Sequence, residues 1–265
     1  MANLILNQLK ATVARSRQAG INRCDDWAGQ QVADLNPDSL LDVGCGDGSL
    51  LFRHLKNRPR NFHGVEGAPE MKRQAEARGL KVASFDLNGR WPYEDDQFDV
   101  VFGNQVIEHL HNGRLFAAEA FRVLKPGGTT IIATENLCSL LNWCALTLGY
   151  TPFSLMQTCG RYLGNPLGLH YMEPHEETVP IDHPAFSGIG GHVRVLTVRQ
   201  AKELFELVGF QVVEARSVSI LPLPDGLSQP LEKFIKNRGH YLMLKARKPF
   251  PSNHCNASPP DQQSV

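Results

Sequence analysis

The first half of the chain alternates short apolar runs with longer segments whose apolar residues recur at helical spacing. The pattern predicts strands over 39–43, 61–65, 81–85, 98–102 and 129–134. Between them it predicts helices over 49–56, 69–78 and 112–124. Strands and helices that alternate in this way are typical of right-handed βαβ units and of a parallel sheet covered on both faces. The sequence therefore predicts an α/β fold.

The pattern changes at both ends of the chain and after the fifth strand. Amphipathic helices are predicted over 2–18 and 25–35, so residues 1–37 form an N-terminal helical cap. Residues 136–195 break the alternation, and an insert of this length is more often a functional lid than filler. A helix over 197–208, a strand over 211–217 and an antiparallel strand over 240–246 then complete one domain of residues 1–247. The tail, 248–265, is rich in proline and polar residues and is predicted to be disordered.

Composition narrows the classes of partner and compartment. The 265 residues include 27 acidic and 27 basic side chains, which argues against a nucleic-acid partner held by bulk charge. The six cysteines show no Cys-x-x-Cys pair and no apolar signal core opens the chain, so we expect reduced thiols and a cytoplasmic location. The apolar stretch within 137–169 is too short to span a bilayer. It is read either as a packed helical hairpin, as a lid over a lipid-tailed acceptor, or as a shallow membrane contact.

A glycine-rich turn carries the first chemical signal. After the strand 39–43, the three residues Gly44, Gly46 and Gly48 lead tightly into a helix, which is the usual entrance to a nucleotide-type cofactor site. The dinucleotide fingerprint needs its third glycine one residue later than Gly48, which counts against that class. Asp42 lies two residues before the first glycine, and a carboxylate there suits an ammonium group better than a pyrophosphate.

Further polar residues follow the next strands. Glu66 comes about 20 residues after the glycine turn, where a carboxylate accepts bonds from ribose hydroxyls. Asp86 can accept from an exocyclic amine while Leu87 packs on a ring, and Asn104 leaves the fourth strand. Because the carboxyl ends of parallel strands meet at one edge, these side chains are predicted to gather in one crevice.

Together, these motifs resemble the class I S-adenosylmethionine-dependent methyltransferases, close to the type 11 branch that includes ubiquinone-pathway O-methyltransferases. The resemblance covers residues 38–135 through LLDVGCGDG, GVEG, FDLN, FDVVFGNQVIEHL and LKPGG, in that order. It implies a Rossmann-like, mostly parallel seven-stranded sheet, with S-adenosylmethionine as cofactor and S-adenosylhomocysteine as product. It also implies the cofactor-binding residues: Asp42, Gly44, Cys45 and Gly46 at the methionine part, Glu66 at the ribose, Asp86 and Leu87 at the adenine, and the backbone of Asn104 at the carboxylate side.

Two histidines are the candidate catalytic residues. His109 follows the fourth strand, and it is read either as a base near neutral pH or as part of a structural turn with Glu108. His192 lies where the insert returns to the sheet and is expected to face the acceptor. Nearby, Arg194 either binds an acidic group or pairs with Glu203. Thr197 is predicted to cap the following helix.

No metal ion is expected at these histidines. Some relatives hold a divalent ion with a Glu-x-x-Glu-His set and a later histidine, and here Gln105 stands at the first position, before Glu108, His109 and the later His192. Losing a carboxylate weakens affinity for a hard cation. The acidic and histidine-rich stretch within 170–183 has irregular spacing and is read as a solvated loop.

The predicted function is methyl transfer to a small-molecule, saccharide-linked or lipid-linked acceptor, at oxygen. The alternatives are methylation of carbon or nitrogen on a quinone-like ring or a macromolecule, and a non-catalytic module that binds the cofactor. A dinucleotide-dependent oxidoreductase is the remaining alternative, and the glycine spacing counts against it.

Overall fold

The computed structural model describes residues 2–155, 164–165 and 192–251. The described strands are β1 Ser39–Val43, β2 Asn61–Val65, β3 Lys81–Ala83, β4 Phe98–Asn104, β5 Leu124–Glu135, β6 Gln211–Val218 and β7 Tyr241–Arg247. The described α-helices are α1 Ala2–Leu35, α2 Ser49–His54, α3 Pro69–Ala77, α4 Gly113–Val123, α5 Leu140–Thr147, α6 Val198–Leu207 and α7 Asp225–Glu232. A short 3-10 turn, Ile107–His109, follows β4.

The strands form one seven-stranded sheet in the order β3-β2-β1-β4-β5-β7-β6. Strands β1 to β5 pair in parallel, whereas β7 runs antiparallel to both β5 and β6. All five residues of β1 are buried, as expected for a central strand with helices on both faces. The predicted α/β class and the mostly parallel seven-stranded sheet are confirmed.

The prediction of two N-terminal helices is wrong, because α1 is one continuous helix of 34 residues. Nothing between the two predicted segments stops a helix except Gly20, and a lone glycine only weakens one. Gly20 has a packing reason, since a side chain there would overlap Ser219 and Tyr241. Further along, α1 buries Cys24, Ala28 and Val32 in the core against one face of the sheet.

Element boundaries differ by a few residues elsewhere. Strand β3 ends at Ala83 rather than at residue 85, and β5 begins at Leu124 rather than at residue 129. Helix α7 was missed because Pro230 lies inside it and hides its helical pattern. Thr197 is confirmed as the cap of α6, since its hydroxyl accepts from the Gln200 backbone N–H at 3.1 Å.

The two ends of the insert meet beside the sheet. Asn136 forms a parallel bridge with Leu196, and the backbone N–H of Leu137 donates to the Leu196 carbonyl at 2.9 Å. Between these ends, α5 is described, whereas 156–163 and 166–191 lie outside the described residues, as does the tail 252–265. The predictions of a lid, of a solvated histidine-rich loop and of a disordered tail therefore stay predictions. In the described part of the chain, no helix is long and apolar enough to cross a membrane.

Candidate functional site

The glycine turn is held in place by the neighbouring strand. The Val65 carbonyl accepts from the backbone N–H groups of Gly44 at 2.8 Å and Cys45 at 3.0 Å. The backbone N–H of Gly46 donates to the Glu66 carboxylate at 2.9 Å. These three N–H groups are therefore engaged by the protein itself. Burial raises the pKa of the Cys45 thiol, so Cys45 contributes as a neutral apolar group.

Gly44 and Gly46 have different steric surroundings although both have a positive φ, +71° and +53°. A Cβ on Gly44 would overlap a Val106 methyl group. A Cβ on Gly46 would meet no atom within 4 Å. Gly46 therefore faces open space at the carboxyl end of β1, which is where the sequence predicts the cofactor.

Asp42 is a buried acid without a counter-ion. Its register partners, Gly64 on β2 and Phe102 on β4, place it in the middle of the sheet, and it is 2% exposed. Its carboxyl has neither a hydrogen bond nor a counter-ion among the described residues that shifts its pKa. Burial, and secondarily the negative charge of Glu66, raises the pKa of its carboxyl to about 8. A cation beside Asp42 would relieve both effects.

Glu66 closes the other side of this space. Its carboxylate accepts from the backbone of Gly46 and, at 2.7 Å, from the backbone of Ala68, so it ties the glycine turn to the end of β2. Both oxygens keep lone pairs that a ribose hydroxyl can use. Asp86 is exposed and accepts from the backbone N–H and side chain of Asn88, and these bonds lower the pKa of its carboxyl. Leu87 beside it is half-buried.

Asn104, at the end of β4, connects the site to α1. Its amide donates to the Asp25 carboxylate at 2.9 Å, and its own side-chain oxygen is buried without a partner among the described residues. Burial raises the pKa of the Asp25 carboxyl. Sequence reasoning missed Asp25 because nothing in a helical segment marks which residue reaches a strand end.

The two predicted catalytic histidines lie together at the same edge of the sheet, beside the end of β5. The rings of His109 and His192 meet edge to face with centroids 4.8 Å apart. Glu108 is fully buried beneath them, and its carboxylate accepts from the Thr134 hydroxyl at 2.7 Å. Its carbonyl accepts from the backbone N–H of Val193 at 2.8 Å, which fixes the returning end of the insert. Burial raises the pKa of the Glu108 carboxyl to about 7.

His192 has a defined tautomer. Its Nδ1 lies 2.7 Å from the Ser154 carbonyl, and because a carbonyl can only accept, Nδ1 carries the proton. The lone pair is therefore on Nε2. Burial lowers the pKa of His192 to about 4, so the ring is neutral at pH 7.

Two buried residues behind His192, Glu135 and His240, were not selected from the sequence. Glu135 ends β5, and the rule that selected Glu66, a carboxylate at a strand's carboxyl end, could have found it. His240 precedes β7, which runs antiparallel, so its starting end lies at the same edge. Glu203 pairs with Arg199 at 4.0 Å rather than with Arg194, which corrects that alternative within the described part of the chain.

The residues weighed for a metal ion are brought close together. One ligand atom each from Glu108, His109 and His192 lies within 4.8 Å of the others. The prediction that the site works without a metal ion stays a prediction.

Several known proteins are similar to part of this chain. The family model described as "Methyltransferase domain" matches residues 41–132. Ajmaline N-methyltransferase from Rauvolfia serpentina is 36% identical over 38% of this chain and 38% of its own length. Ubiquinone biosynthesis O-methyltransferase from Maricaulis maris is 32% identical over 38% of this chain and 41% of its own. The chain thus spans less than half the length of these relatives.

Solved structures of similar fold also exist. An S-adenosylmethionine-dependent methyltransferase from Thermotoga maritima matches with a TM-score of 0.51 over 86% of this chain and 91% of that one, at 16% identity. At this identity the likeness concerns the fold alone.

Proposed function

We propose that this chain, a member of the class I S-adenosylmethionine-dependent methyltransferases of the type 11 branch through residues 41–132, moves a methyl group from S-adenosylmethionine to a small-molecule, saccharide-linked or lipid-linked acceptor. The proposed acceptor atom is oxygen. Similar proteins act at both nitrogen and oxygen by their names, so methylation of nitrogen or carbon is the alternative that the acceptor screen below separates.

The observation that carries the proposal is the buried, unpaired carboxyl of Asp42 beside Glu66 and the open space at Gly46. Two carboxyls at one turn favour a cationic ligand and disfavour a pyrophosphate. S-adenosylmethionine carries an ammonium and a sulfonium, so the residues present fit it. The same pair of carboxyls disfavours a dinucleotide.

The residues have separate parts in this proposal. When bound, S-adenosylmethionine supplies an electrophilic methyl group, so the chain mainly has to align and desolvate the reacting atoms. Asp42 and Glu66 would hold the cationic and ribose parts, Cys45 would line the methionine part, and Asp86 with Leu87 would hold the adenine. Asn104 would fix the carboxylate side through its backbone.

The acceptor side is assigned to His109 and His192. An oxygen acceptor must lose a proton during transfer, and the neutral ring of His192 with its lone pair on Nε2 can accept one. His109, at 4.8 Å, lines the same opening. This arrangement supports oxygen as the acceptor atom. A neutral amine attacks through its own lone pair and needs no base beside it before attack, whereas a hydroxyl does.

A lipid-linked acceptor is supported by the surface of α5. No charged residue occurs over 137–155. On α5, Trp143 and Leu146 are 53% and 55% exposed, and Leu148 just after it is 66% exposed. An apolar surface of this kind fits the tail of an acceptor or a shallow contact with a bilayer.

Calorimetric titration with S-adenosylmethionine, S-adenosylhomocysteine and NAD tests the cofactor assignment. We expect binding of both adenosyl ligands and no heat from NAD. Glu66→Gln should weaken adenosyl binding by about 1–3 kcal/mol, roughly 5- to 150-fold, because a carboxylate partner is lost. Glu70→Gln, an exposed carboxylate four residues on, is the matched control and should bind as the wild type does. Tight NAD binding in place of the adenosyl ligands would contradict the proposal.

Turnover separates an enzyme from a binding module. The protein is incubated with S-adenosylmethionine labelled in the methyl group and a panel of phenols, catechols, amines and hydroxylated lipids. His109→Ala and His192→Ala should slow transfer while adenosyl affinity stays nearly unchanged, and His111→Ala, exposed two residues on, should transfer normally. A panel in which only amines are methylated would overturn the assignment of oxygen.

A further inference from the structure

Glu135, the last residue of β5, is buried between two histidines. Its Oε2 lies 3.7 Å from His192 Nδ1 and 3.9 Å from His240 Nε2, and its side chain is 1% exposed. Neither carboxyl oxygen meets full hydrogen-bond geometry with a described residue, although the Ser154 hydroxyl lies close enough to favour the charged form. A buried carboxyl with so little compensation is costly, so it calls for a physical account.

The surroundings of Glu135 fix it and His192 in place from several elements. His240 lies behind it with Nδ1 3.2 Å from the Ser139 hydroxyl, and His192 lies in front with Nδ1 donating to Ser154. The Nε2 of His192 therefore carries the lone pair, and the ring of His192 packs on that of His109. The four groups form a chain of contacts from the buried His240 and Glu135 through His192 to the partly exposed His109.

We propose that Glu135 is a positioning residue for His192, holding its ring by charge and stabilising the imidazolium that forms when Nε2 takes the proton of the acceptor hydroxyl. In this step the acceptor O–H bond breaks, an N–H bond forms at Nε2, and the electron pair stays on the oxygen that attacks. Positive charge on His192 is then balanced by the Glu135 carboxylate. The part that Glu135 plays in the reaction rests on the proposed function. The contact between Glu135 and His192 is seen in the structure and is independent of it.

Burial of His192 explains why its ring needs a negatively charged partner to act as a base. Burial lowers the pKa of His192 to about 4, which makes an isolated ring a weak base at neutral pH. A carboxylate within 4–6 Å raises the pKa of such a group by about 1–3 units. Two buried acids lie near His192 in the described structure: Glu108 has a carboxylate oxygen within 4.8 Å of one ring nitrogen, and Glu135 Oε2 lies 3.7 Å from Nδ1. Glu135 is the one within 4 Å of the protonated nitrogen.

The ionisation of Glu135 itself depends on its neighbours. Burial raises the pKa of its carboxyl to about 8, the nearby Ser154 hydroxyl lowers it, the charge of Glu108 raises it, and the charge of Arg17 on α1 lowers it. His240 faces it as a neutral ring, because burial lowers the pKa of His240 to about 3. His109 and Arg17 also lower the pKa of His192. The form with a carboxylate beside a neutral His192 therefore grows as pH rises toward 8.

The first test needs no acceptor. Long-range 15N–1H spectra of histidine-labelled protein, with S-adenosylhomocysteine present, are recorded from pH 6 to 9, and the His192 signals are assigned by their loss in His192→Asn. We expect the His192 nitrogen shifts to move with a midpoint near pH 8 in the wild type, as they sense Glu135. In Glu135→Gln, this movement should vanish while the signals of the exposed His111 match those of the wild type. His192 signals that titrate identically in both proteins would overturn the inference.

The second test uses turnover with an acceptor identified by the panel. Glu135→Gln should lower kcat at least tenfold with the KM for S-adenosylmethionine unchanged, and the rise in kcat between pH 6.5 and 8 should flatten. Glu203→Gln, an exposed carboxylate on α6, is the control and should keep the wild-type profile. If wild-type protein binds no adenosyl ligand, the proposed function fails. If it turns over and Glu135→Gln matches it, only the role of Glu135 fails. Should the Gln variant fold poorly, the wild-type titration of His192 decides alone.

Discussion

Asp42 links the chemistry of the cofactor to the stability of the protein. Its carboxyl is fully buried, and its pKa of about 8 lies far above the value of about 3.9 expected in an unfolded chain. Stability contributed by such a group is fully present below the unfolded pKa and is lost as pH rises through the folded pKa. Between about pH 4 and pH 8 the ligand-free protein therefore loses stability through Asp42, the group whose ionised form the proposed function assigns to the cofactor.

The first prediction at this scale concerns the ligand-free protein. Asp42→Asn removes a buried ionisable group, so its free energy of unfolding should exceed that of the wild type by at least about 1 kcal/mol at pH 8, because one pKa unit corresponds to about 1.4 kcal/mol. The difference should shrink as pH falls toward 4. Urea unfolding at both pH values measures it, with Asp34→Asn, an exposed acid on α1, as the control. A variant that is less stable than the wild type at pH 8 would contradict the buried charge.

The opposite effect is expected for ligand binding. A cationic ligand binds the ionised form of Asp42, so S-adenosylmethionine affinity should rise between pH 6 and 7.5 by up to about tenfold per pH unit. Titrations in two buffers of different ionisation enthalpy should detect a proton released on binding. In Asp42→Asn the affinity should be lower at pH 7.5 and independent of pH. Wild-type affinity that is flat across this range would place the ligand's cation away from Asp42.

At the scale of elements, the glycine turn combines two different requirements. Gly44 has a positive φ and also packs against Val106, whereas Gly46 has a positive φ and faces open space. The first glycine is therefore needed by the folded protein, and the second is needed by whatever enters the space. A substitution to alanine distinguishes them.

We expect Gly44→Ala to lower the free energy of unfolding by about 2–4 kcal/mol, from a left-handed alanine and an overpacked contact. Gly46→Ala should cost only about 1 kcal/mol but weaken S-adenosylmethionine binding at least tenfold, because the new methyl group occupies the ligand's space. Gly149→Ala is the matched control, since Gly149 also has a positive φ and open space but follows α5. It should lose similar stability and no affinity. Equal affinity of Gly46→Ala and Gly149→Ala would move the ligand away from the turn.

The same elements explain how much of the molecule the sequence predicts. The sheet was predictable because each parallel strand is an apolar run, and the polar residue after it, such as Glu66 or Asn104, must lie at one edge. The single helix α1 was not predictable, because Gly20 looks locally like a weak point, and the packing that requires a glycine there involves Ser219 about 200 residues away. Glu135 and His240 were missed for a similar reason, since only the antiparallel β7 brings His240 to the site. Long-range packing, rather than local pattern, sets these features.

For the whole molecule, α1 is the element that connects the sheet, the candidate site and the last third of the chain. It packs on one face of the sheet, and its Asp25 accepts from Asn104 at the end of β4. Two residues earlier, Arg23 donates to both oxygens of Glu232 at 2.8 Å and to Asp225 at 3.0 Å on α7. The position of Asp25 at the site is thus coupled to an ion-pair cluster on the far side of the helix.

This coupling predicts that Arg23→Met affects both stability and binding. The Arg23, Asp225 and Glu232 side chains are 23%, 29% and 15% exposed, so these ion pairs are intermediate between surface and buried pairs. Their loss should lower the free energy of unfolding by about 1–3 kcal/mol. Arg15→Met changes an exposed arginine of the same helix and should stay within about 0.5 kcal/mol of the wild type.

Because α1 carries Asp25, Arg23→Met should also weaken S-adenosylmethionine binding, by less than Asp42→Asn does. Urea unfolding and calorimetry on the wild type and on the Arg23, Arg15 and Asp42 variants measure both effects. Repeating the unfolding in 1 M NaCl should narrow the stability difference between the wild type and Arg23→Met, since salt screens partly exposed charges. A destabilised Arg23→Met protein with wild-type affinity would mean that α1 supports the fold without positioning the site.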